Sequence, residues 1–137
     1  MNQSNKNGVE EIEQLLRTYE KELNASNTSA IIPLYTKDGV FMPQNSPSQI
    51  GTEALRAAYD QVFANITLAV TFDIAEIVVA SPDWAFARTN SVGNVTIMAT
   101  GDRAPEANQE LFVLNRDDSG SWKIARYAFS TINPPKQ

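Results

Sequence analysis

The 137-residue chain contains neither cysteine nor histidine. The missing cysteine removes disulfides, thiolate nucleophiles and zinc–thiolate sites. The missing histidine removes the commonest general base and the commonest metal ligand, and with them Ser-His-Asp, Cys-His and histidine-based zinc chemistry. Acid–base work therefore falls to Asp, Glu, Tyr or Lys. No trio of carboxylates has metal-site spacing, and no Gly-rich phosphate loop is present, so neither a metal nor another cofactor is expected. Basic residues are few and scattered, and the formal charge is −5, which argues against nucleic acid as a partner. No apolar run is long enough to span a bilayer. The first eight residues lack the apolar middle of a secretory signal, so a cytoplasmic location without a membrane partner is expected.

What is present fits one domain, residues 1–137, with an ordered core of about 9–132 and frayed ends in the first eight and last five residues. Val9, Ile12, Leu15, Leu16, Tyr19 and Leu23 recur at three- and four-residue steps, the stripe of a helix over about 9–25. Asn27 or Thr28 is placed to cap a second, shorter helix running to Tyr35, which Pro33 should bend. Lys37-Asp38-Gly39 reads as a turn before a brief strand at Val40-Phe41-Met42. A third helix follows Gly51, with Thr52 as its cap and Leu55, Ala58, Tyr59, Val62 and Phe63 on one face. Beyond Ile66 the period changes to two. Long strands follow over about 66–79 and 84–98, then a loop at 99–107 that includes Asp102, Arg103 and Glu106. Helices first and a strand meander afterwards is an α+β pattern, an antiparallel sheet with helices on one face.

The last third of the chain carries the candidate site. Glu110-Leu111-Phe112-Val113-Leu114 and Trp122 to Phe129 alternate in period two around a turn-rich stretch, and so read as a hairpin. Simple alternation puts Glu110, Phe112 and Leu114 on one strand face, and Ile124, Arg126 and Ala128 on one face of the other. If those faces are one surface, Glu110 and Arg126 lie together on it, with Arg88 and Asn90 reaching in from the neighbouring strand. An ion pair without any ligand fits the same pattern. With two arginines to one carboxylate, Glu110 is expected to stay ionised. Lys123, Ala125, Tyr127 and Phe129, with Trp122, then fall on the outer face, where a second copy of the chain is the natural cover.

The order and local sequences of these pieces resemble the SnoaL-like branch of the nuclear transport factor 2-like superfamily, over roughly Val9 to Thr131. Tyr19 to Asn24, Leu34 to Val40, Gly51 to Leu55, Glu110 to Leu114 and the run Trp122-Lys-Ile-Ala-Arg-Tyr127 carry the resemblance. It implies a cone-shaped curved sheet that, with three N-terminal helices, encloses a pocket. It also implies dimers formed through the outer sheet face. Among relatives, ketosteroid isomerases offer a residue comparison: their oxyanion tyrosine matches Tyr19, a supporting tyrosine matches Tyr59, and their second acid falls at Glu110. Their carboxylate base falls near Pro43, between Met42 and Gln44, where this chain has no acid. The expectation is a small organic ligand in a mainly apolar pocket lined by Arg88, Asn90, Phe112, Arg126 and Tyr59. Tyr19 and Glu110 are the candidates for isomerase-, cyclase- or dehydratase-type proton transfer on a carbonyl compound. The rival expectation is a non-catalytic dimerisation or ligand-sensing module.

Overall fold

A computed structural model describes residues 3–133, so the frayed ends expected at Met1, Asn2 and the last four residues lie outside the described residues. Helix α1 spans Gln3–Asn24 and begins six residues earlier than its apolar stripe. Ile12, Leu16 and Tyr19 on that stripe are almost completely buried. Asn27 caps the four-residue helix α2 (Thr28–Ile31) by accepting the Ala30 N–H. Pro33 then tightens the chain into a 3₁₀ turn, Ile32–Leu34. Strand β1 covers Tyr35–Met42, and a two-residue β2 (Gln49–Ile50) precedes α3 (Thr52–Asn65). Gly51, at φ 88°, is the N-cap of α3, and Thr52 is its first residue. The long strands are β3 (Ile66–Val79), β4 (Trp84–Ile97), β5 (Arg103–Arg116) and β6 (Trp122–Thr131). β5 thus absorbs most of the stretch expected to be a loop.

One curved, unclosed six-stranded sheet runs in the order β2-β1-β6-β5-β4-β3, and the three helices lie on its concave face. Neighbours are antiparallel except β1 and β6, which are parallel. The expectation of an all-antiparallel sheet is corrected there. β1 and β6 are joined through most of the chain rather than by a tight turn, so nothing forces their directions to oppose.

Two irregularities decide which side chains face the core. In β6, Ile124 pairs with Leu114 but Arg126 pairs with Val113, leaving buried Ala125 as an extra residue. A single inserted residue of this kind reverses the alternation beyond it. In β1, Tyr35 lies beside Ile124 and Val40 beside Arg126, so Thr36 to Gly39 bulge out opposite it. Lys37-Asp38-Gly39 is therefore a bulged stretch of strand and not the turn expected. Arg126 Nη1 bridges the two irregularities, donating to the Asp38 carbonyl at 3.2 Å and the Ala125 carbonyl at 2.6 Å.

The free edge of β3 is occupied by polar side chains of α1. Asn24 donates to the Val70 carbonyl at 2.8 Å and accepts the Val70 N–H at 2.9 Å. Glu20 accepts the Phe72 N–H at 2.7 Å, and Arg17 donates to the Phe72 carbonyl at 2.8 Å. Four residues of helix rise by about 6 Å and two residues of strand by about 7 Å, so the two rows keep step.

Where β3 meets β4, Gly93 pairs with Val70, and a Cβ placed on it would lie 2.0 Å from the Ala69 carbonyl oxygen. That contact is backbone against backbone and has no side chain to yield. Gly93→Ala should therefore destabilise the fold by the upper end of the overpacking range, about 3 kcal/mol, read as a lowered urea midpoint. An unchanged midpoint would show that the strands separate there without cost.

Candidate functional site

The concave side of the sheet is crowded because side chains on it converge. β4 answers by placing its small residues inward, Ala85, Ala87, Thr89 and Ser91, all buried. Its bulky residues Trp84, Phe86, Arg88, Asn90 and Val92 alternate with these and so face outward. The bulge at Ala125 turns Tyr127 and Phe129 inward beside Phe112 and Glu110.

All four tyrosines of the chain, Tyr19, Tyr35, Tyr59 and Tyr127, meet in this interior, each at most 5 % exposed. The Tyr59 hydroxyl lies 2.7 Å from that of Tyr19 and 2.7 Å from that of Tyr35, and Tyr127 also interacts with Tyr19 through its hydroxyl. Gly39 makes room for this, since a Cβ there would press on the Tyr35 ring at 2.8 Å. Phe41 stacks between Tyr59, with centroids 4.9 Å apart, and Tyr127, at 5.6 Å. Burial raises the pKa of every one of these phenols. They stay neutral and act as hydroxyl donors. Donation in the order Tyr35 to Tyr59 to Tyr19 leaves the Tyr19 proton for another acceptor, and such a chain polarises each bond along it.

Above this cluster lies a cavity of about 150 Å³. Phe41, Tyr59, Phe72 and Phe129 form much of its apolar wall, and Tyr19, Ser91, Glu106, Asn108 and Glu110 supply its polar atoms. Glu110, only 6 % exposed, accepts from the Thr89 hydroxyl at 2.5 Å and from the Ser91 hydroxyl at 2.6 Å. These donors come from directly across and diagonally across the β4–β5 pair. Burial raises the carboxyl's pKa above its ordinary value, the two hydroxyls oppose that shift, and the charge of Glu106 adds to it.

Of the residues expected at the site, Tyr19, Tyr59 and Glu110 line the cavity. Phe112 is on the same face but packs behind the lining, stacked on Tyr127 at 4.3 Å. Arg126, Arg88 and Asn90 do not reach it. Arg126 is carried to the outer face by the bulge, where it braces the backbone. Arg88 lies on that outer face and pairs with Glu76 at 2.5 Å. Asn90 lies opposite Gln109 on the same side, at a solvent-exposed groove. The expected Glu110–Arg126 pair is thus corrected, and with it the reason for expecting Glu110 to be ionised. Glu106 and Asn108, the one assigned to a loop and the other passed over, are cavity residues instead. The small-large alternation along β4 was the available signal for Thr89 and Ser91. Nothing in simple alternation announces the bulge. Among the described residues, no group of three acidic side chains could hold a metal ion, and no helix is long and apolar enough to cross a membrane.

A cone of curved sheet closed by helices around a buried cavity defines the nuclear transport factor 2-like class. Residues 15–127 match the model of the SnoaL-like domain, and the chain belongs to that family. A ketosteroid isomerase-like protein of Erwinia carotovora atroseptica is 39 % identical, with a TM-score of 0.87 over 90 % of this chain and 95 % of that one. A candidate scytalone dehydratase of Novosphingobium aromaticivorans shares the fold at 16 % identity, with a TM-score of 0.82 over 97 % and 89 % of the two chains. A nuclear transport factor 2-like protein of Salmonella enterica does so at 14 %, with a TM-score of 0.80 over 93 % and 92 %. None of the curated proteins matches.

The raised Glu110 pKa fixes the sign of a pH effect. The folded state holds this proton to higher pH than the unfolded chain does, so the group's contribution to stability falls as pH rises from the unfolded pKa to the folded one. Glu110→Gln should remove that slope: its stability relative to wild type improves with pH across this window and is level above it. Paired urea titrations at several pH values would read it, and parallel curves would mean that the carboxyl titrates normally.

Proposed function

We propose that the cavity binds a small, largely apolar carbonyl compound and that Glu110 and Tyr19 catalyse proton transfer on it, as in isomerisation, cyclisation or dehydration. The observation that carries this reading is a buried carboxylate whose partners among the described residues are the Thr89 and Ser91 hydroxyls, sharing an apolar cavity with Tyr19. Glu110 takes a proton from the carbon next to the carbonyl. The electron pair moves onto the carbonyl oxygen, and the Tyr19 hydroxyl donates to that oxygen as its charge grows. The protonated Glu110 then returns the proton to carbon. A neutral tyrosine and a carboxyl with its pKa moved upward are suited to those two roles.

The relative named ketosteroid isomerase-like supports the reaction class, but two features argue against a steroid. Met42, Pro43 and Gln44 offer no carboxylate where those isomerases keep their base. A cavity of about 150 Å³ holds about one benzene ring, well below the ~300 Å³ at which ordinary ligand pockets begin. The test is deuterium incorporation next to the carbonyl of cyclohexanone in heavy water, followed by proton NMR. Wild type should exchange faster than buffer, and Glu110→Gln should lose about 10²- to 10⁴-fold. Exchange no faster than buffer, with cyclohexanone nonetheless bound, would favour the non-catalytic ligand-sensing reading.

A homodimer through the outer sheet face is part of the same proposal, on different residues from those expected. Tyr127, Phe129 and Trp122 are interior, whereas Leu111 and Val92 on the outer face are 47 % and 59 % exposed. Met42 and Trp84 extend the apolar patch, and the Arg88–Glu76 pair brings both signs of charge to it. A surface carrying apolar area and both charges suits a two-fold contact with itself. Replacing Leu111 and Val92 with lysine should give a folded monomer by sedimentation equilibrium. A wild type already monomeric at micromolar concentration would rule the dimer out.

A further inference from the structure

Charge is distributed unevenly around the cavity. Glu106, Asn108 and Glu110 alternate along β5 and form an acceptor-rich strip on its wall, and among the described residues no lysine or arginine lines it. Glu106 accepts from the Asn108 amide at 2.9 Å. Glu110 has the Ser91 and Thr89 hydroxyls. Four arginines near the sheet are engaged elsewhere: Arg17 with Glu20 on the β3 edge, Arg88 with Glu76, Arg116 over the Trp122 ring and Arg126 at the bulge, while exposed Arg103 alternates to the face of β5 opposite Glu106. A carboxylate buried without a countercharge is costly. A ligand that brought a positive charge would supply what the protein omits, and an anionic ligand would meet two carboxylates and no cation.

We propose that this carbonyl compound also carries a protonated amine, making it a small organic cation with an apolar body of about one ring. The body lies among Phe41, Tyr59, Phe72 and Phe129, and the ammonium lies along the Glu106–Asn108–Glu110 strip. This rests on reading the cavity as a ligand site, and it adds the ligand's charge. It also gives the raised Glu110 pKa a use, because an arriving ammonium favours the ionised carboxylate. The base is then charged when a ligand is present to react.

Benzylamine, benzyl alcohol and benzoate have nearly the same shape and differ in charge at neutral pH. Titration calorimetry of the whole chain with each should show the amine binding about tenfold or more tightly than the alcohol, and benzoate not binding. In the double variant Glu106→Gln with Glu110→Gln, the ratio of amine to alcohol affinity should fall toward one. If that variant does not fold, the wild-type comparison decides alone. Alcohol binding as tightly as amine, or benzoate binding at all, overturns the charge assignment while leaving the cavity a ligand site. Failure of all three to bind overturns both.

Discussion

The extra residue in β6, Ala125, is the constraint on which the interior depends. It turns Tyr127 and Phe129 inward, completing the aromatic cluster with Tyr19, Tyr59 and Phe41. It also sends Arg126 outward, and so leaves Glu110 without the cation that regular alternation would provide. One residue therefore exchanges an internal ion pair for an apolar chamber with an uncompensated acid. The facing bulge in β1 and the Arg126 hydrogen bonds to Asp38 and Ala125 hold that arrangement. What reads as a ligand-binding arginine is a structural brace for the geometry that creates the cavity.

The elements were more legible than the faces. The stripe from Ile12 to Leu23 and the change of period at Ile66 report burial averaged over many residues, and averages survive local irregularity. The α+β class and the helix–strand order follow from them. Face assignment along β6 is different, because a single insertion reverses every residue after it. β4 misleads for another reason: Arg88 and Asn90 are expected to reach inward, whereas a tightly concave sheet has room there only for the small side chains between them. Tyr19 and Tyr59 gain a site role through resemblance, whereas Glu110 follows from alternation along its own strand, though with the wrong partner. Tyr35 was not singled out, because it falls at an element boundary and its role needs the β1 bulge and Gly39 beside it.

The site combines two ways of holding a polar group in an apolar interior. The phenols satisfy one another, and their burial keeps them neutral, so they are donors at any ordinary pH. Glu110 has one hydroxyl at each oxygen: both donate when it is ionised, and when one oxygen carries a proton the hydroxyl there can rotate to accept it. Its protonation state is therefore open to influence by whatever occupies the cavity. Tyrosine hydroxyls that stay neutral and a carboxyl that responds make a more adaptable pair than a fixed salt bridge would.

The helix α1 side chains along β3 have a consequence for how copies of this chain can meet. An exposed strand edge is a template for adding another strand, which leads to swapped or growing assemblies. Here Asn24, Glu20 and Arg17 occupy the Val70 and Phe72 backbone groups on one edge, and the other edge ends in a two-residue strand. Lateral extension is blocked at the middle of β3, and the other edge ends in a strand of only two residues. A pair formed through the broad sheet face proposed above would be closed, with no second copy of that face left to propagate into a fibre.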